Sequence, residues 1–389
     1  MDIWQRKNLI ENQFHLHYNQ APTWWVQAPG RVDLMGSHTD YNLGYVLTQA
    51  IDRNTWIAAR PRSDGKVRLA SLNVGGTAVF GLSAIERDKD APWTNYIRGV
   101  ADVFQKEGYP LTGFEGLIHS TIPFGSGLSS SAALEVATAV LFEALGDWRM
   151  DAVQKALLCQ RAENEFVGMN CGILDQYSST MGVEDSVLLL DCRSITSEIK
   201  PIAPGLQVMI CDTRAKRALT GSEYPARRAQ CEEGVRILGE FDAHIRSLRD
   251  ANLQQVEAHQ ADMAPVVYKR CKFIIEENQR VQDMAEALAG GDRGGVGRLA
   301  RESFVGARDL YEIVSSEMSA MQNAIMGAPG VFGARGAGAG FGGCLVAFVD
   351  SDLVEAFGEQ VTRRYAGQTG IQPQIYPCRA AEGAGVLGF

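Results

Sequence analysis

Four side chains that can hold a polar ligand and move a proton lie within ten positions near the start of the chain. They are Arg31, Asp33, His38 and Asp40, in the segment 30–44, which reads Gly-Arg-Val-Asp-Leu-Met-Gly-Ser-His-Thr-Asp-Tyr-Asn-Leu-Gly. Apolar runs that favour strands flank this segment. So many charged groups predict a loop that binds something polar. The alternative is a solvated turn, because Ser-His-Thr-Asp and Asn-Leu-Gly are common turn sequences.

A second segment combines glycines with three consecutive serines. Residues 122–136 read Ile-Pro-Phe-Gly-Ser-Gly-Leu-Ser-Ser-Ser-Ala-Ala-Leu-Glu-Val. Glycines let the backbone approach an anion, and the free N–H groups and dipole of a helix N-terminus favour phosphate. The segment lacks a Walker lysine and a Gly-x-Gly-x-x-Gly pattern, so it is neither a standard P-loop nor a dinucleotide fingerprint. Phosphate binding is predicted, and the alternative is a serine-capped helix after a flexible turn.

Two acidic residues beyond the serines are candidate partners of a bound phosphate. Glu163 lies in a predicted helix, and Asp175 follows a Cys-Gly break at the start of the next helix. An aspartate in a first helical turn is often only a cap or a dipole partner. In a kinase, Glu163 would hold Mg²⁺ and Asp175 would accept or orient the proton of the attacking hydroxyl. Ser130 and Ser131 could place a hydroxyl on the same cation, because Mg²⁺ prefers oxygen ligands.

A third segment is rich in glycine. Residues 333–347 read Gly-Ala-Arg-Gly-Ala-Gly-Ala-Gly-Phe-Gly-Gly-Cys-Leu-Val-Ala and lead into a predicted strand. Packing alone does not require so many glycines, and they indicate that another backbone or a ligand approaches closely.

The composition describes an ordinary globular protein and limits its partners. The chain has 389 residues, of which 46% are hydrophobic and 21% charged, and this length suits about two domains. Its net charge of -9 argues against nucleic acid or an anionic membrane as the main partner. The eight cysteines form no Cys-x-x-Cys pair, so neither a zinc site nor a disulfide framework is expected. The start of the chain has no apolar signal core, and a cytoplasmic location is expected.

Interleaved strand and helix patterns predict two α+β halves that meet at a cleft. A composition shift near residue 200 predicts the boundary between domains 1–200 and 201–389. The predicted strands are 24–28, 45–51, 56–59, 66–70, 114–119, 186–191, 206–212, 331–334, 343–349 and 374–376. The predicted helices are 95–106, 130–145, 152–166, 174–181, 224–248, 264–288, 295–305 and 315–325.

In this order and spacing, the three motifs resemble those of the galactokinase branch of the GHMP kinases, a superfamily that includes homoserine and mevalonate kinases. The first segment is similar to the galactokinase signature Gly-Arg-Val-Asn-Leu-Ile-Gly-Glu-His-Thr-Asp-Tyr-Asn. The second is similar to the superfamily phosphate loop, and the third to its glycine-rich motif. Further matches lie at residues 93–96, 171–176, 216–224 and 227–228. The resemblance covers nearly the whole chain.

The resemblance implies an N-terminal half like ribosomal protein S5 domain 2 and a ferredoxin-like C-terminal half, with ATP and a sugar between them. It implies phosphate transfer from ATP to the anomeric hydroxyl of D-galactose, giving α-D-galactose 1-phosphate.

By motif match, the resemblance makes Asp175 the catalytic aspartate and Arg31 the cation that stabilises it and the transferring phosphoryl group. It implies that Ser131 and Glu163 hold Mg²⁺. The implied sugar-binding residues are Ser37, His38, Asp40, Gly172 and Tyr224. The implied ATP-binding residues are Pro123, Gly125, Ser126, Gly127, Leu128, Ser129, Ser130 and Ser131.

Two of the positions that depart from the galactokinase pattern leave the identity of the sugar open. Ser37 stands where the family has a glutamate that faces C6 of the sugar, and Asp33 replaces asparagine, as in arabinokinase-like sequences. A serine cannot accept a hydrogen bond from a 6-hydroxyl with charge, and it does not repel a 6-carboxylate. Galactose bound through a water, galacturonate and L-arabinose are therefore all compatible, while the retained His38 favours a hexose or hexuronate.

Two other classes of function are alternatives. A catalytically silent sensor of ATP and galactose would be expected to have a damaged phosphate loop or to lack the catalytic aspartate. In this chain the loop is intact and the aspartate is present. A mevalonate-type or homoserine-type kinase is disfavoured by the sequence His-Thr-Asp-Tyr at residues 38–41. The expected partners are ATP and a small sugar, with no nucleic acid and no membrane, in a monomer or weak homo-oligomer.

Overall fold

Two β-sheets with helices packed against them make up the computed structural model, which describes residues 1–215 and 223–389. The α-helices are α1 (Ile3–Tyr18), α2 (Asn95–Lys106), α3 (Ser130–Gly146), α4 (Ala152–Arg161), α5 (Leu174–Met181), α6 (Glu223–Phe241), α7 (Leu253–Ala258), α8 (Pro265–Gly290), α9 (Arg293–Asp309), α10 (Ser316–Met326) and α11 (Val354–Thr369). The strands are β1 (Trp24–Met35), β2 (Tyr45–Arg62), β3 (Lys66–Ser71), β4 (Thr77–Gly81), β5 (Gly113–Ser120), β6 (Ser186–Asp191), β7 (Thr196–Pro201), β8 (Leu206–Asp212), β9 (Val331–Gly336), β10 (Cys344–Asp350), β11 (Gln374–Cys378) and β12 (Gly385–Val386).

The larger sheet contains the strands of the first half of the chain. Its order is β12-β1-β2-β5-β3-β4, with β6 paired to β2 and β7 paired to β6. The smaller sheet has the order β11-β8-β10-β9. The chain leaves the larger sheet at Pro201 and enters the smaller one at Leu206, while β12 returns to the larger sheet. The domain boundary itself stays a prediction.

One apolar core connects the two halves. It joins residues of β1, β2 and α3 to residues of α8, α9 and β10, including Val32, Leu47, Val281, Leu299 and Phe348. Close packing of this kind holds the two halves in one arrangement. Side chains from both can therefore meet at one site. Within the described residues, no helix combines the length and apolarity needed to cross a membrane.

The opening polar segment is partly strand, which corrects its prediction as a loop. β1 continues to Met35, so Arg31 and Asp33 lie on a strand and the turn spans only residues 36–44. The pairing of β1 with β2 shifts register between Pro29 and Arg31 and again between Asp33 and Met35. Irregularities of this kind re-aim side chains locally, and here they occur at the residues that carry charge.

β2 is one strand of 18 residues, where two short strands were predicted. The polar residues 52–55 interrupt the apolar pattern but are bound by distant parts of the chain. Arg6 of α1 donates to the Asn54 side chain at 2.5 Å and to the Asn54 carbonyl at 3.1 Å. The Asp52 N–H donates to the Arg379 carbonyl at 3.1 Å. Because these partners are distant in sequence, the local hydrophobic pattern wrongly indicated a break between two strands at residues 52–55.

Two helix predictions are also wrong at their ends. The helix predicted over 152–166 is α-helical only to Arg161 and continues as a π-helical turn, Ala162–Val167. The helix predicted over 224–248 ends at Phe241. The elements α1, β4, β7, α7, α11 and β12 were not predicted.

The contact between α9 and β9 is close enough to require glycine. A Cβ atom on Gly297 would lie 2.3 Å from the Phe332 carbonyl oxygen, and a Cβ atom on Gly333 would lie 2.8 Å from Gly297 Cα. We expect Gly297→Ala to lower the free energy of unfolding by about 2 to 3 kcal/mol, because the backbone must shift to admit the methyl group. Urea denaturation measures this change.

The control for this variant is Gly294→Ala, three residues earlier in α9. Gly294 is exposed, and the nearest atom to an added Cβ, Asp292 Oδ1, is 3.5 Å away. We expect Gly294→Ala to be neutral or slightly stabilising, because alanine is the better helix former. Equal losses in both variants would contradict the close-contact argument.

Candidate active site

An ion pair between Arg31 and Asp175 lies where β1, α5 and the serine loop (residues 122–131) meet. Arg31 Nε and Nη2 both donate to Asp175 Oδ1, at 2.8 and 2.5 Å, and Arg31 Nη1 donates to the Gly127 carbonyl at 2.7 Å. The Ser129 hydroxyl donates to Asp175 Oδ2 at 2.5 Å. The Arg31 side chain is 9% exposed and the Asp175 side chain 23% exposed. Both carboxylate oxygens of Asp175 thus accept hydrogen bonds, and part of its side chain remains exposed to solvent.

The serine loop presents its backbone rather than a capped helix end. Gly125, Gly127 and Ser129 have φ angles of 74°, 80° and 58°, a left-handed conformation that favours glycine. Ser129 occupies the N-cap position of α3, but its side chain makes no capping hydrogen bond and binds Asp175 instead. The alternative interpretation of this segment, a serine-capped helix, is therefore wrong for Ser129. The first N–H groups of α3 are left for another acceptor, as an anion site requires.

The serine loop packs directly on β1 and on the third glycine-rich motif. The Arg31 N–H donates to the Leu128 carbonyl at 3.2 Å, and a Cβ atom on Gly30 would lie 2.5 Å from that carbonyl oxygen. On the other side, the Cys344 thiol donates to the Ser126 carbonyl at 2.8 Å. All three motifs singled out in the sequence therefore contact one another.

A buried acidic group lies beside the serine loop. Gln176 Nε2 donates to Glu163 Oε2 at 2.6 Å and to Glu135 Oε2 at 2.9 Å. Burial raises the pKa of Glu163, and the Asp175 charge raises it further, while a hydrogen bond from Ser131 opposes the shift. Burial and the charge of Glu163 hold the pKa of Glu135 well above its usual value. Sequence reasoning missed Glu135 and Gln176, although Glu135 follows Ser131 by one helical turn.

The oxygen donors beside the serine loop fit a magnesium ion. Across the part of the chain that the structure describes, no cluster of three or more His, Cys, Asp or Glu residues is arranged to hold a metal ion. Mg²⁺ in phosphotransferases commonly uses one or two protein oxygens and completes its shell with phosphate oxygens and water. Ser131 and Glu163 supply that number of oxygens. A cation there would also relieve the repulsion between Glu163 and Asp175.

The turn after β1 carries His38 in a chain of hydrogen bonds. His38 has a φ of 65°, its Nε2 lies 3.1 Å from the Ala339 carbonyl, and its Nδ1 lies 2.8 Å from the Tyr41 hydroxyl. A carbonyl only accepts, so Nε2 carries the proton and Nδ1 accepts from Tyr41. Tyr41 in turn lies 2.7 Å from the Tyr311 hydroxyl. Burial lowers the pKa of His38 to about 4, which keeps the imidazole neutral at pH 7.

Asp40 and Gly172 are in direct contact next to this turn. A Cβ atom on Gly172 would lie 2.2 Å from Asp40 Oδ2, so only glycine leaves the carboxylate in place. Burial raises the pKa of Asp40 to about 6, and the nearby charge of Asp175 adds to the shift. The Tyr224 ring lies 5.2 Å from the His38 ring, measured between centroids. These residues together form a polar wall with an aromatic face.

Ser37 belongs to a buried group of charged and polar side chains. Arg335, which is 1% exposed, donates from Nη2 to the Ser37 hydroxyl at 2.7 Å and from Nε to the Ser303 hydroxyl at 3.0 Å. Its ion pairs are with Glu277 at 3.3 Å and with Asp33 at 3.7 Å. Asp33, Ser37, Glu277, Ser303 and Arg335 form the Arg335 cluster, which joins β1 and its turn to α8, α9 and β9.

The structure brings most of the predicted site residues into contact with one another. Arg31, Gly127, Ser129 and Asp175 form one group, Ser131 lies close enough to Glu163 to lower its pKa, and Asp40 contacts Gly172. Ser37 is bound by Arg335 and is 4% exposed, so its predicted position at the sugar stays a prediction. Of the motif at 216–224, residues 216–222 lie outside the described residues.

Three regions of the chain match known family models. Residues 95–183 match the GHMP kinases N terminal domain, and residues 284–367 match the GHMP kinases C terminal domain. Residues 12–61, which include the opening polar segment, match the galactokinase galactose-binding signature. The matches agree with the motif resemblance in both position and order.

Similar proteins span nearly the whole chain. A galactokinase of Roseiflexus sp. (strain RS-1) is 41% identical over 376 residues, which is 97% of this chain and 96% of that protein. A galactokinase of Chloroflexus aurantiacus is 41% identical over 373 residues, covering 96% of this chain and 95% of that protein.

Solved structures show the same fold. The structure of Lactococcus lactis galactokinase complexed with galactose has a TM-score of 0.93 and 32% identity, and covers 98% of this chain and 100% of that one. Methanococcus jannaschii mevalonate kinase has a TM-score of 0.62 at 18% identity, covering 93% of this chain and 99% of that one, which shows the fold alone. The predicted two-domain GHMP kinase fold is confirmed. The chain belongs to the galactokinase family of the GHMP kinases and is a sugar kinase of that type.

Proposed function

We propose that the protein transfers the γ-phosphoryl group of ATP to the anomeric hydroxyl of D-galactose, giving α-D-galactose 1-phosphate and ADP. The observation that carries this proposal is the Arg31–Asp175 pair, which the serine loop holds through Gly127 and Ser129. A proton acceptor, a cation and an anion-binding loop in contact are the parts that phosphoryl transfer to an alcohol needs. The galactokinase relatives support galactose as the acceptor.

The proposed chemistry assigns one task to each member of the pair. The anomeric oxygen attacks the γ-phosphorus, the bond to the β–γ bridging oxygen breaks, and ADP leaves with that electron pair. Asp175 accepts or orients the proton of the attacking hydroxyl, since its carboxylate is fixed but reaches solvent. Arg31 stabilises this carboxylate and the charge on the transferring group. The N–H groups at the start of α3 bind phosphate oxygens.

The wall formed by His38, Asp40, Gly172 and Tyr224 is proposed to hold the sugar. Asp40 can accept hydrogen bonds from two neighbouring hydroxyls when it is ionised. His38 is neutral, and both of its nitrogens are engaged by Tyr41 and the Ala339 carbonyl, so it shapes the pocket rather than supplying charge. Binding sites that pair sugar hydroxyls with buried polar groups discriminate strongly against sugars that leave such groups unpaired.

The role proposed for Mg²⁺ concerns the phosphates. When bound by Ser131 and Glu163, the cation would neutralise charge on the β- and γ-phosphoryl oxygens. Glu163 is kept in place for this task by Gln176, which donates to it at 2.6 Å.

We expect Asp175→Asn to lower kcat with galactose by about 10²- to 10⁴-fold, because the amide cannot accept the proton. ADP release measures kcat, and calorimetry is expected to show that ATP and galactose still bind. Retained turnover in this variant would contradict the role of Asp175.

The sugar itself is tested by comparing kcat/KM for D-galactose, D-galacturonate and L-arabinose with the wild-type protein. We expect galactose to have the highest value. If galacturonate or arabinose has a higher kcat/KM than galactose, that sugar is the preferred substrate and the proposal of galactose is wrong. Absence of turnover with all three would contradict the proposed reaction.

We expect kcat/KM for galactose to fall below pH 6, by about tenfold per pH unit, because Asp40 then becomes protonated and loses its acceptor capacity. The direction follows from burial, which raises the pKa of Asp40 to about 6, so that the ionised form predominates above that pH and is lost as the pH falls below it. Asp40→Asn should have a lower kcat/KM with no inflection near pH 6. An unchanged inflection in this variant would assign it to another group.

We expect Glu163→Gln to raise the Mg²⁺ concentration for half-maximal activity by about 10- to 100-fold, because a charged ligand is lost. Glu165→Gln is the matched control, since Glu165 lies two residues later in the same turn and is exposed. A magnesium titration of the steady-state rate distinguishes the variants. Equal shifts in both would remove Glu163 from the proposed metal site.

A further inference from the structure

The Arg335 cluster has balanced charges and almost no access to solvent. Arg335 carries the positive charge of the cluster, and Arg280 adds a second one at its border, where its Nε donates to Glu277 Oε2 at 2.8 Å and its Nη1 lies 3.6 Å from the partly exposed Glu276. The carboxylates of Asp33 and Glu277 provide two acidic groups, and these two residues are 2% and 0% exposed. Because buried charge is costly unless it is paired, such a cluster tolerates neither a missing nor an additional carboxylate.

Ser37 lies at the centre of this cluster. Its hydroxyl accepts from Arg335 Nη2 at 2.7 Å and lies 3.3 Å from Asp33 Oδ2 and 3.0 Å from the Gly338 carbonyl. A carboxylate at position 37 would therefore face the same guanidinium that forms an ion pair with Asp33 at 3.7 Å. It would also lie in contact with the Asp33 carboxylate, where two like charges repel.

We propose that positions 33 and 37 share a single carboxylate that neutralises Arg335 and positions the sugar-facing turn, and that this chain carries it at position 33. Asp33 and Ser37 are then positioning residues that act through Arg335. The kinetic part of this inference rests on the proposed sugar kinase function. Asp33 and Ser37, which both depart from the family pattern, then form one coupled change.

The cluster holds the turn from both sides. The Gly36 N–H donates to Glu277 Oε1 at 3.3 Å, and Ser37 contacts Gly338 as described above. The next residue, His38, contacts the Ala339 carbonyl at 3.1 Å. Residues 36–38 are thus attached to α8 and to the third glycine-rich motif. A displaced Arg335 would move the turn that leads to Asp40, and with it the sugar wall.

A double-mutant cycle tests the shared carboxylate. The variants are Asp33→Asn, Ser37→Glu and the double variant Asp33→Asn/Ser37→Glu, measured by thermal unfolding. Each single variant is expected to lower Tm by about 5 °C or more, since one removes a carboxylate from Arg335 and the other adds a third one. The double variant restores the count of carboxylates and is expected to recover most of the lost Tm.

The matched control is Asp33→Asn/Ser37→Gln, which has a side chain of the same length at position 37 but no charge. It is expected to stay at the Tm of Asp33→Asn or below. If Ser37→Glu yields no soluble protein, soluble yields of the two double variants give the same comparison. A double variant with glutamate no more stable than Asp33→Asn, or a glutamine control that recovers equally, would overturn the proposal.

The kinetic readout separates positioning from general stability. Below its Tm, Ser37→Glu is expected to raise KM for galactose by about tenfold or more, with kcat and KM for ATP changed less than about twofold. Asp33→Asn/Ser37→Glu should return KM for galactose to within about threefold of the wild-type value. An unchanged KM for galactose in Ser37→Glu would overturn the positioning role. Thermal unfolding needs no substrate, so failure of the kinase assignment would appear separately, as no turnover in the wild-type protein.

Discussion

The ion pair between Arg31 and Asp175 is the interaction on which the geometry of the site depends. Exposed ion pairs contribute little to stability, but this one is partly buried and is bound again by the serine loop through Gly127 and Ser129. It joins β1 to the start of α5, 144 residues away, and to the serine loop, 96 residues away, and the serine loop and α5 are themselves 46 residues apart. The pair also places the positive charge of Arg31 beside Asp175. Without that charge, nothing would offset the repulsion between the carboxylates of Asp175 and Glu163.

The second organising feature is the dependence of the N-terminal turn on the C-terminal half. The turn that carries His38 and Asp40 belongs to the first sheet, but its contacts run to Glu277, Arg335 and Ala339. The shared apolar core holds the two halves of the chain at the distance that these contacts require. The wall formed by His38, Asp40, Gly172 and Tyr224 is therefore a property of both halves together.

Sequence reasoning found the residues that carry charge at the site but not the contacts that position them. The motif order located Arg31, the serine loop and Asp175, because glycine, serine and charge at fixed spacing report on a local backbone. It did not find Glu135, because a buried acid in an Ala/Leu-rich helix has no periodic signal. It did not find Gln176 either, because the role of this amide depends on Glu135 and Glu163, which are 41 and 13 residues away in sequence. The continuous β2 was missed for a related reason, since Arg6 binds Asn54 across a long sequence separation.

The π-helical turn at Ala162–Val167 has a consequence for how the acidic group is encoded. A π-turn contains one residue more than an α-turn, and one residue rotates everything after it by about 100° around the helix axis. Glu163 lies near the start of this turn, and the Gly168 N–H donates to its carbonyl at 2.9 Å. The direction in which the chain leaves Glu163 for Asp175 is thus set by the number of residues in the turn as well as by their chemistry. A relative that keeps both acidic residues but lacks the additional residue would present them to each other at a different angle.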